Sequence, residues 1–103
     1  MSIQRFQSEM QPWSVEPHFE NNTDPCFMFK HALFHAMKAT GKIAGIADDH
    51  DHKGATFDPA VSFVDCNKYL ADLVICAMKM ASEASINLEK AVEFRMKEKG
   101  LLL

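Results

Sequence analysis

Ile3, Phe6, Met10 and Trp13 recur at helical spacing, and Ser2 stands where a capping residue belongs. The pattern predicts a short amphipathic helix at the front of the chain. Pro12 and Pro17 close it, and Asn21-Asn22-Thr23-Asp24 reads as a polar connection. Asp24-Pro25 is a start signal: aspartate accepts from the free amides of a first turn, and proline has no amide to lose there. A second helix is expected from about Pro25 to Ala47. Phe27, His31, Phe34 and Lys38 lie along one line of it, while Phe29, Leu33, Ala36 and Met37 widen the apolar side. Gly41 and Gly45 each cost about 1 kcal/mol in helix propensity, and they leave room for another backbone to approach.

Asp48 to Thr56 reads as a charged, glycine-containing loop. Either Asp58-Pro59 or Asp65 restarts a helix, whose run Leu70, Leu73, Val74, Ala77, Met78, Ala81 keeps a 3.6-residue period. It is expected to end near Ala84-Ser85. Ile86-Asn87-Leu88-Glu89 then supplies a staple residue, an N-cap and an acid in the first turn. The last helix, Leu88 to Lys99, is expected to bury Leu88, Val92 and Met96 and to stop at Gly100. No stretch alternates apolar and polar residues as a strand does. The reading is all-α: four helices with short connections, a bundle.

Composition narrows the class without naming a chemistry. The 103 residues make one domain, 48% hydrophobic and 24% charged, with 8 Phe and 7 Met to build a core without disulfides. A net charge of −3 argues against nucleic acid as a partner. No run approaches the roughly 20 apolar residues of a membrane span, and the first residues carry no secretory signal. Cys26, Cys66 and Cys76 are odd in number and lack short metal-type spacing, which fits a reduced, cytoplasmic compartment. Cys76 lies in an apolar helical stretch, where cysteine behaves as a small hydrophobe.

Leu70-Ala71-Asp72-Leu73-Val74-Ile75, the apolar helix after it, and Ser85-Ile86-Asn87-Leu88-Glu89-Lys90-Ala91-Val92 together resemble the C-terminal half of the MazG-like all-α NTP pyrophosphohydrolases. Ile3-Gln4, Phe6-Gln7 and Trp13 resemble that family's first helix, so the likeness spans roughly residues 3–99. It implies a four-helix protomer that forms a homodimer or homotetramer and binds a nucleotide among its helices. It also implies Mg²⁺ held by acidic residues that direct water at the phosphate chain. Magnesium needs hard oxygen ligands, and acids three or four apart on a helix share a face. Lys38, Ala39 and Lys42 stand where the family keeps acids on one helix. Lys68, Tyr69 and Asp72 stand where it keeps them on the next, so Asp72 is the one metal and catalytic carboxylate retained.

Two functions follow. One is a divergent pyrophosphohydrolase that uses Asp72 with acids such as Asp48, Asp49 or Asp65. The other is a non-catalytic nucleotide- or anion-binding, or oligomeric interaction, module. In the second, Lys38, Lys42, Lys68 and Arg95 contact the phosphates in place of a metal, and Tyr69 stacks on a base. The solvated-face alternative makes these lysines ordinary surface charges, or pairs Lys42 with Asp72 as a structural bridge. Asp48, Asp49, His50 and His52 offer imidazole and carboxylate groups that suit a transition metal, as a separate metal site; a polar surface connection explains the run more simply. His31 and His35, one turn apart, lack the glutamate and third ligand of a catalytic zinc site. His35 would border the nucleotide cleft. No serine elbow, Cys–His neighbour or phosphate-binding glycine loop is present.

Overall fold

The computed structural model describes residues 2–10 and 24–102. Among them it is all-helical, in the order α1 (Ile3–Glu9), α2 (Pro25–Lys53), α3 (Pro59–Ser62), α4 (Asn67–Glu83) and α5 (Leu88–Glu98). The expectations placed on Pro12, Trp13, Pro17 and Asn21 to Thr23 lie outside the described residues. The expected start signals operate as read. Ser2 Oγ accepts from the Arg5 amide at 3.2 Å, Asp24 Oδ1 from Cys26 at 3.0 Å, and Asn87 Oδ1 from Lys90 at 3.2 Å.

One element differs in length. The stretch from Asp48 to Lys53, expected as loop, is the last part of α2. Acid and base four residues apart explain the extension: Asp48 meets His52 at 3.1 Å and Asp49 meets Lys53 at 3.4 Å. His50, His52 and Lys53 also place basic groups in the last turn, where the helix dipole favours them. The helix stops at Gly54, whose φ of 55° most side chains resist.

The restart uses Asp58, which caps Ala60 at 3.0 Å, but α3 lasts only four residues. A 3₁₀ turn over Phe63–Cys66, with Asp65 in it, leads into α4. Phe57 packs edge-on against both Phe63 and His50, with ring centroids 5.4 and 5.3 Å apart, and this seats the connection.

α2 and α4 run antiparallel and form the main packing contact of the fold. The residues buried there are small or flexible, Met28, Ala32 and Ala39 on α2 and Cys76 on α4. Cys76 is buried as expected of a small hydrophobe. The apolar line read from the sequence is displaced, because Phe29, Leu33, Phe34 and Met37 all lie on the exposed side of α2. α5 buries no residue completely; Leu88 and Met96 are half-buried and Val92 is exposed.

α1 docks on the turn between α4 and α5 through two side chains. Gln7 donates from Nε2 to the Ile86 carbonyl at 2.6 Å and accepts the Leu88 amide at 3.2 Å. Glu89 Oε1 in return accepts the Ile3 amide at 3.1 Å and the Ser2 hydroxyl at 2.9 Å. Each helix therefore caps the first turn of the other.

Candidate functional site

Between α2 and α4 lies a cavity of about 260 Å³, lined by His35, Lys38, Ala39 and Lys42 from α2 and Tyr69, Asp72, Ile75 and Cys76 from α4. Helical geometry assembles it. Lys38 and Lys42 are four apart and project from one face, as do Asp72 and Cys76 opposite. The antiparallel pairing then brings the two faces together. Six residues singled out in the sequence line this one cavity: His35, Lys38, Ala39, Lys42, Tyr69 and Asp72. Ile75 and Cys76 were not singled out for the site. Their spacing from Asp72, three and four residues on, was the available signal.

The other candidates lie elsewhere or at the edge. Lys68 is exposed and holds its Nζ 5.1 Å from the Tyr69 ring centroid, a cation–π contact beside the cavity. Arg95 lies on α5, at 3.5 Å from Glu98, and does not line the cavity. Asp48, Asp49 and Asp65 do not line it either.

The helical course of Asp48 to Lys53 brings two of the residues proposed for a second metal site together and turns the other two to different neighbours. Asp48 pairs with His52, Asp49 with Lys53, and His50 packs on Phe57. Among the described residues no three such side chains converge as metal ligands would. His31 and His35 meet edge to face, with ring centroids 4.5 Å apart.

The cavity's electrostatics are set by two lysines against one carboxylate. No ion pair joins Lys38 or Lys42 to any described residue, so the Lys42–Asp72 bridge is not formed. Asp72 does reach its other neighbour electrostatically. Burial pushes the Cys76 thiol above its ordinary pKa, and the Asp72 charge adds to the effect.

This donor set does not fit magnesium. Mg²⁺ wants near-octahedral oxygen coordination with carboxylates to offset its charge. Among the described residues the cavity offers one carboxylate, and two ammonium groups that repel a cation. The phosphates of a ligand are the chemistry those ammonium groups suit.

No protein-family model, curated protein or solved structure matches the chain. Among the described residues, no helix is long and apolar enough to cross a membrane.

Proposed function

We propose that this chain is a non-catalytic binding module for a phosphate-bearing ligand of nucleotide type, held in the cavity between α2 and α4. The observation that carries this reading is the pair Lys38 and Lys42, facing Tyr69 across a cavity with a single carboxylate, Asp72. Like charges four apart on a helix destabilise it by about 0.2–0.5 kcal/mol, and no described carboxylate forms an ion pair with either lysine. An incoming phosphate would turn that repulsion into attraction.

Cavity size limits how the ligand sits. Sites that engulf a whole drug-sized molecule hold roughly 300–1,000 Å³, so about 260 Å³ takes the phosphate end and leaves the remainder at the mouth. Tyr69 supplies an aromatic face for a base there. The MazG-like resemblance supports a nucleotide as the ligand, but metal-dependent hydrolysis does not follow from this set of residues.

Calorimetric titration with ATP and dUTP, each with and without Mg²⁺, tests the reading alongside an assay for pyrophosphate release. Binding heat without Mg²⁺, no pyrophosphate release, and loss of the heat in a Lys38→Ala/Lys42→Ala variant are expected. Absence of heat under every condition overturns nucleotide binding. Pyrophosphate release that depends on Mg²⁺ restores the hydrolase.

A further inference from the structure

Lys30, Phe34, Met37, Gly41, Ala44 and Asp48 follow one another along α2 at intervals of four, three, four, three and four. That alternation is the 3.5-residue repeat of a coiled-coil seam, in which a single stripe meets a second helix. The stripe is not the one that faces α4, where Met28, Ala32 and Ala39 are buried. Its two large apolar members, Phe34 and Met37, are each 61% exposed. A side chain on Gly41 or Gly45 would meet nothing within 4 Å, so no part of the described protomer uses the space that these glycines leave.

We propose that the occupant of this stripe is α2 of a second copy, packed antiparallel about a two-fold axis. In that arrangement Met37 lies over Gly41 of the second copy, Phe34 over its Ala44, and Leu33 over its Gly45. Lys30 faces its Asp48. Symmetry repeats each contact. Every layer then sets a large residue against a small one, or a base against an acid. A parallel pair would stack Phe34 on Phe34, leave glycine against glycine, and oppose like charges at both ends.

The charges are available for it. Lys30 makes no ion pair with any described residue, and Asp48 keeps one carboxylate oxygen beyond the one facing His52. Glycine and alanine at the centre bring the axes closer than the usual 8–10 Å between packed helices. This accounts for two glycines inside a helix that nothing in the protomer requires. The inference does not depend on the cavity or its ligand.

Sedimentation velocity over a wide concentration range tests it. The wild-type chain is expected to run at twice the monomer mass. Gly41→Leu, which meets no obstacle within the protomer, is expected to run as a monomer with its helical circular dichroism unchanged. Lys30→Asp and Asp48→Lys are each expected to weaken the dimer at least tenfold, and the double swap to restore it to within a few fold. A wild-type monomer at all concentrations overturns the proposal; that is the result if another segment of the same chain covers the stripe. A dimer indifferent to Gly41→Leu and to both charge reversals also overturns it, since its interface then lies elsewhere.

Discussion

Glu89 Oε1 stands 3.1 Å from the Ile3 amide, so a carboxylate in the first turn of α5 completes the first turn of α1. Gln7 returns the contact at Leu88. Removing a capping acceptor costs typically about 1 kcal/mol, and here each side chain also fastens one helix to another. Glu89→Ala and Gln7→Ala are each expected to lower unfolding free energy by about 1–2 kcal/mol. The double variant should lose less than the sum, because both changes release the same docked helix. Urea denaturation of the four proteins measures that coupling; strict additivity contradicts it.

The end of α4 predicts a stabilising change. Ile86 donates to the Ala81 carbonyl at 2.8 Å and Ser85 to Ser82 at 3.2 Å, which is the paired closure that favours a left-handed residue after the helix. Gly100 fills that place after α5, but after α4 it is Ser85, with φ of 57°. Ser85→Gly is expected to raise stability by about 0.5–1 kcal/mol, and Ser85→Val to lower it. Thermal melts of both variants decide the sign.

Lys79 and Glu83 form an ion pair at 2.8 Å with side chains only 10% and 18% exposed. Removing one partner leaves the other charge with little access to water. Glu83→Ala is expected to cost about 3 kcal/mol, whereas Lys79→Met/Glu83→Leu is expected to be close to neutral, since apolar replacement of a buried pair often is. Equal losses in the single and double variants would contradict this account.

Cys76 predicts a fall in stability at alkaline pH. Its folded pKa is raised, first by burial and then by Asp72, while an unfolded thiol ionises near 8.5. Below that value both states keep the proton and the contribution is whole. As pH rises from the unfolded value through the raised native one, the unfolded chain sheds a proton that the folded chain retains, and stability is lost. Denaturation at about pH 7 and pH 10 should show a smaller loss for Cys76→Ala than for the wild type. At neutral pH the exposed Cys26 should react with a thiol reagent well before Cys66 or Cys76.

The parts of the fold legible in the sequence are those decided locally. Ser2, Asp24, Asp58 and Asn87 announce their caps because a cap depends on a residue and its next three neighbours. Local spacing showed that Lys38 and Lys42 share a face of one helix, but that this face would meet Tyr69 and Asp72 of another came from the family resemblance alone. The run Asp48 to Lys53 misled because its composition is that of a loop while its spacing is that of an ion-paired helix end. Phe34 and Met37 misled differently: hydrophobicity says that a residue seeks cover, not which neighbour provides it. Gln7 and Glu89 carry no local sign of the contact they make, since their partners lie about eighty residues away.

That separation orders the assembly of the molecule. Helix α2 can close on α4 from contacts made between neighbouring elements, but α1 has nowhere to dock until the turn at Ile86 to Glu89 has formed. On a ribosome α1 emerges ahead of the turn it docks on, so it must wait for that turn before it can take its place. Until then Ile3 and Leu88 must satisfy their amides with water, and the surface that α1 covers on α4 stands open. A chain stalled before Glu89 would hold every residue of the cavity and still lack the contact that joins its first helix to the rest.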